Sequence, residues 1–285
     1  MLKAFKYGFS IGMQQWRIAA IVYFFQFCIA LTLGMQVYHV MESSIGNSLE
    51  INKLLANYDH TVITDFLKVH GASITPLIGQ LRWLLLVWLL FSVFIDAGLM
   101  FCATHPEQAK GRIFFQSAAT YFFSFLKIAV IFLVLLLVWT GVALLPVLGF
   151  FQRSVEVFPT EVYSVWMILI ALLVWFIGVV VLFVWSVNSR IIKIKTGGTI
   201  WQSIKSGRSV FGKNKGKMLG TVLLFVLLFV GITAVYLSLD AHLGARSGIL
   251  IFIMFLVQQA FIFFRVQMRA MTYASMSQIQ PNTEL

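Results

Sequence analysis

The segment Gly207-x-x-x-x-Gly212-Lys213-Asn214 comes within one residue of a phosphate-binding loop, in which backbone N–H groups cradle a polyphosphate and a lysine neutralises it. Asn214 stands where that loop needs a Ser or Thr for magnesium, and no strand pattern precedes it. Nucleotide binding is therefore set aside. Four of the five histidines, His39, His60, His70 and His242, fall near Glu42, Asp59, Asp65 and Asp240 in sequence. His39-x-x-Glu42 places two zinc-type ligands on one helical face. There is no His-Glu-x-x-His and no Cys pair, however, so the histidines read as isolated exposed residues, with no metal and no other cofactor assigned. No Gly-x-Ser-x-Gly occurs, and no serine of an apolar segment has a histidine at comparable depth, so no catalytic residue is assigned either.

The remaining polar residues of interest lie inside apolar sequence. Asp96 is the only acidic residue within a long apolar stretch, and Gln26, Asn188, Gln258 and Gln259 are amides at similar depth. An unpaired charge there costs at least a few kcal/mol, about 2.5–3.5 by insertion scales, so a partner is expected. Counted from the ends of their segments, Asp96 and Arg265 reach depths that differ by ~1.5 Å at the helical rise per residue. The expectation is that they face the bundle interior and pair, with Asn188 as a further contact. The competing outcome has Arg265 reaching to the headgroups and Asp96 protonated or held by a backbone carbonyl.

Membrane spans must position these residues. The 285 residues are 60% hydrophobic and 11% charged, and the mean hydropathy is +0.92. A soluble domain carries about 25% charged residues, so this chain cannot clothe a surface facing water. Six apolar segments are long enough to cross ~30 Å of hydrocarbon: Ile18–Met41, Leu81–Ala103, Ile128–Leu148, Val162–Val187, Met218–Leu239 and Ile249–Ala270. The first is too long for a signal-peptide core and has no Ala-x-Ala cleavage pattern, so it reads as a retained span. Cys28 and Cys102 fall in or at the end of spans, which gives no disulfide framework.

Charge fixes the sides. Lys3, Lys6, Arg17, Lys110, Arg112, Lys127, the basic residues of 190–217, Arg265 and Arg269 gather on one side, whereas the other has Lys53, Lys68, Arg82, Arg153, Arg246 and most of the acids. The positive-inside rule then predicts both termini in the cytoplasm. An amphipathic stretch precedes each odd-numbered span: Leu2, Phe5, Phe9, Met13 and Trp16 in the first, Phe114, Ala118, Tyr121 and Phe125 in the second, and Ile200, Ile204, Gly207 and Phe211 in the third. Each has the pattern of a helix lying in the membrane interface. Thr104-x-x-Glu107 and Thr199-x-x-Gln202 read as capping boxes that open the second and third. The predicted fold is thus all-α: six transmembrane helices in three repeats, each an interfacial helix plus a transmembrane hairpin. It forms a single membrane domain, with cytoplasmic interfacial segments at 104–127 and 190–217.

The run Ala4-Phe5-Lys6-Tyr7-Gly8 to Trp16-Arg17, with Ser44-Ile45-Gly46-Asn47-Ser48-Leu49 and Leu54-Leu55-Ala56-Asn57-Tyr58-Asp59, resembles an uncharacterised family of bacterial six-span membrane proteins. More distantly, the three-unit layout is similar to the membrane domain that accompanies some bacterial glycerophosphodiester phosphodiesterases. The resemblance implies architecture only, because no soluble phosphodiesterase domain is present.

Between the first two spans, residues 42–80 are expected to form an outer helical cap. Its two short helices are placed at Ser48–Ala56 and Asp59–His70, with Asp59 as N-cap and Gly71 at the end. In the basic loop, Trp201, Lys205, Arg208, Lys213, Lys215 and Lys217 are the residues expected to contact anionic lipid, each cation being worth ~1 kcal/mol near the surface. A 28-residue loop beside a bilayer offers no folded reading surface, so the net charge of +11 does not point to nucleic acid. Ala30-x-x-x-Gly34 and Gly216-x-x-x-Gly220 are small-residue motifs suited to close helix packing, and Pro146 is expected to kink the third span. The leading functional expectation is a non-enzymatic module of a bacterial inner membrane, contacting anionic lipid and a membrane-protein partner or a second copy of itself. The alternative is a small-molecule or lipid transporter with a polar path near Asp96, Gln258 and Gln259.

Overall fold

The computed structural model describes residues 1–45, 60–151, 161–243 and 248–280. These residues form seven α-helices: α1 (Leu2–Gln14), α2 (Trp16–Ile45), α3 (His60–Thr104), α4 (Gly111–Phe151), α5 (Glu161–Thr196), α6 (Ile200–Leu243) and α7 (Gly248–Ile279). A 3-10 turn at Pro106–Gln108 joins α3 to α4, and no strand occurs among the described residues. Each helix from α2 to α7 contains a stretch long and apolar enough to cross a membrane. The chain is a multi-pass membrane protein.

Several expected boundaries move. α4 is 41 residues long and α6 is 44, or about 60 Å and 66 Å at 1.5 Å per residue, twice the hydrocarbon thickness. The second amphipathic stretch is therefore no separate helix but the unbroken beginning of α4. The third is joined to its span through Asn214, whose φ of −121° and ψ of 18° kink α6. Only α1 is detached, by Gln15 (φ −86°, ψ 23°). Thr104 does not open a helix with Glu107; its hydroxyl donates to Met100 O at 2.7 Å and closes α3. The Thr199–Gln202 box does form, with Gln202 N to Thr199 Oγ1 at 3.3 Å and Thr199 N to Gln202 Oε1 at 3.0 Å.

The 28-residue basic loop contracts to a three-residue connection, Gly197 to Thr199. α5 continues through Arg190, Lys193 and Lys195 because those cations find partners. Lys193 Nζ donates to Gly197 O at 3.2 Å and Gly198 O at 2.5 Å, closing the carbonyl end of its own helix. Lys195 Nζ donates to Ser277 O at 2.9 Å. The reversal itself needs a left-handed residue, and Gly197 supplies it with φ +65°.

Of the outer cap, residues 46–59 lie outside the described residues, including Ser48–Ala56 and the Asp59 cap. Residues 60–80 are not a separate helix ended by Gly71; α3 runs through them into the second span. α4 likewise continues past Pro146.

Buried side chains gather at one end, where α1, the starts of α2, α4 and α6 and the ends of α3, α5 and α7 meet; we call it the basic end. Ile18, Val22, Leu99, Met100, Phe114, Phe125, Val184, Ile191, Met218 and Met276 form one continuous core there. α7 is the central helix, touching α1, α2, α3, α5 and α6. α1 packs chiefly on α7, through a small-residue face of Ala4, Gly8 and Gly12. Its apolar Leu2, Phe9 and Met13 remain exposed, as does Trp16 at the start of α2. In the opposite half, Trp83, Leu85, Val138, Val142, Leu173, Val235 and Phe252 are exposed, an arrangement suited to acyl chains.

Candidate functional site

Asp96 is buried where α3, α5 and α7 converge, and it is held from two helices. Arg269 Nε lies 3.3 Å from Oδ1 and Arg190 Nη1 3.6 Å from Oδ2, while the Tyr273 hydroxyl donates to Oδ1 at 3.0 Å. Arg269 and Tyr273 are four residues apart and so share one face of α7. Arg190 also stacks over the Phe125 ring at 5.7 Å. One carboxylate thus faces two guanidiniums, and the Arg190 Nε is buried without a hydrogen-bond partner.

This cluster forms part of the wall of a cavity of ≈ 480 Å³, lined also by Gln26, Trp88, Phe183, Val222, Phe225, Arg265 and Thr272. A second cavity of ≈ 520 Å³ lies between α2, α3 and α7, lined by Tyr23, Gln26, Ala30, Gly34, Leu84, Trp88, Phe255, Gln258, Gln259 and Arg265. Gln26, Trp88 and Arg265 border both, so the two adjoin. The Tyr23 hydroxyl donates to Gln259 Oε1 at 2.7 Å across the second cavity. Gln26 of α2 and the consecutive Gln258 and Gln259 of α7, distant in sequence, therefore border one space.

The Asp96–Arg265 pair is corrected. Arg269, one turn further along α7, takes the place assigned to Arg265, which is exposed and lines both cavities instead. Arg265 and Arg269 are four residues apart and share a face of α7, so the difference lies in depth. Span ends read from hydropathy do not fix the axial offset of two helices, and the structure brings Arg269, about 6 Å further along, level with the carboxylate. Asn188 is fully buried but does not reach Asp96: its Nδ2 donates to Met218 Sδ at 3.1 Å, and its Oδ1 accepts from Gln280 Nε2 at 2.8 Å. Arg190, Arg269 and Tyr273 were missed as site residues. The charge count places Arg190 in the basic loop and Arg269, at the end of the sixth span, on the cytoplasmic side; the four-residue spacing of Arg269 and Tyr273 is the available signal.

Trp201, Lys205, Arg208, Lys213, Lys215 and Lys217 all lie exposed along the first half of α6 and do not join this site. His39 Nδ1 lies 3.8 Å from Glu42 Oε2 on an exposed face, and among the described residues no three His, Cys, Asp or Glu side chains come together. Of the small-residue motifs, Gly34 and Gly216 have nothing within 4 Å of a Cβ position, and Gly220 faces only the Met1 side chain. The close approach is made elsewhere, by Gly8 and Gly12 on α7 and by Gly207 on Ser189.

No family model matches this chain, and neither a curated protein nor a solved structure matches it.

Proposed function

We propose that this chain is a non-enzymatic protein of a bacterial inner membrane that takes an amphiphilic molecule, a lipid or a hydrophobic small molecule, into the adjoining cavities between its spans. The observation that carries this reading is the convergence of Gln26, Gln258, Gln259 and Arg265 on one space with largely apolar walls. Such walls with a few polar groups suit a ligand that is mostly hydrocarbon. A polar permeant would need a continuous hydrophilic lining.

In this proposal the basic end lies in the cytoplasm, with both termini there, because the cations are concentrated at that end. The three-repeat organisation belongs to the same reading, supported by the breaks at Gln15 and Asn214 and weakened by the unbroken α4. The exposed Trp201, Lys205, Arg208, Lys213, Lys215 and Lys217 rest on anionic headgroups of the inner leaflet.

Filling the second cavity tests the reading. Gly34 has open space at its Cβ position and lines that cavity, so Gly34→Leu should fit without a clash and displace the ligand. Protein extracted with its surrounding lipid in polymer discs should retain one amphiphile per chain after transfer to detergent, and Gly34→Leu should release it. Equal retention by the variant would refute the reading. Orientation is checked separately with a cysteine at Ser206 in a Cys28→Ser background, which should resist a membrane-impermeant thiol reagent in intact cells.

A further inference from the structure

Resting on the cavity reading above, we infer that the cavity beside Asp96 holds the phosphate-type headgroup of an anionic lipid, with Arg265 as its principal contact and the hydrocarbon extending into the adjoining cavity. The argument is one of charge. Three guanidiniums, those of Arg190, Arg265 and Arg269, border a space in which the only acid among the described lining residues is Asp96. Asp96 is already engaged: Oδ1 receives Arg269 and Tyr273, and Oδ2 receives Arg190. Arg265 has no ion pair among the described residues, and the buried Nε of Arg190 has no acceptor.

Excess positive charge surrounded by apolar walls is costly unless an anion shares the space. The planar fork of arginine matches phosphate oxygens through paired hydrogen bonds. The partition of the lining fits the two ends of a lipid. Asp96, Arg190 and Arg269 line only the first space; the adjoining one shares Arg265 with it, adds the uncharged amides Gln258 and Gln259, and is otherwise mainly apolar. Asp96 accordingly acts as a positioning residue: it fixes Arg190 and Arg269 and leaves Arg265 free for the ligand.

The test uses the full chain in detergent with Lys213, Lys215 and Lys217 changed to Gln, so that binding along the basic face of α6 does not register. The protein is equilibrated with equal amounts of phosphatidylglycerol and phosphatidylcholine, and bound lipid is read by native mass spectrometry. One phosphatidylglycerol per chain should be retained with a preference of about tenfold, and Arg265→Gln should abolish that preference without moving the Tm of the lipid-free protein. Arg265→Lys keeps the charge but not the fork and should leave a preference of about threefold; it serves as the reading if the neutral variant does not purify folded. Equal retention of both lipids, insensitive to Arg265→Gln, overturns the headgroup inference and leaves the cavity reading intact. Loss of all lipid from the parent protein overturns both. If inorganic phosphate at the same concentration displaces phosphatidylglycerol, the lipid is not the source of the anion and the inference fails.

Discussion

Gly8 and Gly34 are the same residue in two different environments. At the basic end, a Cβ on Gly8 would collide with the Ser275 hydroxyl and the Met271 carbonyl; in the opposite half, a Cβ on Gly34 would meet nothing within 4 Å. The contrast holds along the bundle. Phe114, Phe125, Leu99 and Met276 are fully buried at the basic end, whereas the spans beyond them expose Leu, Val and Trp. The difference follows the solvent. α4 and α6 are long enough to project beyond a ~30 Å hydrocarbon layer. There water drives side chains such as Phe114 and Ile204 together, and Leu99, Val184 and Met218 continue that packing into the ends of the spans. Within hydrocarbon that force is absent and helices hold together by van der Waals fit and hydrogen bonds, so spans without closely fitting faces leave cavities, as at Gly34. The well-packed end thereby supplies a fixed platform, and the loosely packed half supplies the space.

If that division is right, the largest loss should come from the charged cluster at the boundary between the halves. Asp96→Asn leaves the guanidiniums of Arg190 and Arg269 without a countercharge and should cost about 3–5 kcal/mol, measured as chemical or thermal unfolding in detergent. A double-mutant cycle sharpens the point: Asp96→Asn and Arg269→Gln should couple, while Asp96→Asn and Arg265→Gln should simply add. Coupling to Arg265 instead would restore the pairing expected from depth alone.

Gly8→Val comes next. The added side chain must push α1 away from Met271 and Ser275, an overpacking cost of about 1–3 kcal/mol. A cysteine at Ser275 should become reactive when α1 lifts; unchanged protection would mean that α1 is not docked there.

A smaller loss is expected at the α5–α6 turn. Thr199→Ala removes the hydroxyl that accepts from Gln202 N and should lower stability by ~1 kcal/mol. Gly34→Leu should have the smallest effect, within about 0.5 kcal/mol, because its side chain enters open space. A loss as large as that from Gly8→Val would show that the two halves are equally packed and would break the comparison.

Hydropathy alone revealed six spans, and all six expected cores lie within the helices that form. It did so because transfer from water to hydrocarbon is a sum over neighbouring residues and needs no tertiary partner. The same local reasoning placed the Thr199–Gln202 cap, and it required that Asp96 be neutralised. It failed at helix ends: Arg190 was assigned to a loop because charge ordinarily ends a span, whereas here α5 carries it into contact with Asp96.

The choice among Arg190, Arg265 and Arg269 was decided only by the tertiary structure. Asp96 and Tyr273 are 177 residues apart, and their meeting depends on the axial offset and rotation of α3 against α7. A shift of one turn along the same face separates Arg269 from Arg265, and hydropathy does not fix it. The face α1 turns inward was settled in the same way. Its aromatic stripe is the more apolar by composition, but Ala4, Gly8 and Gly12 allow the closer approach to α7, and dispersion contacts favour the surfaces that fit. The cavities also follow from tertiary arrangement, since an apolar span reads the same whether its neighbour touches it or stands one side chain away.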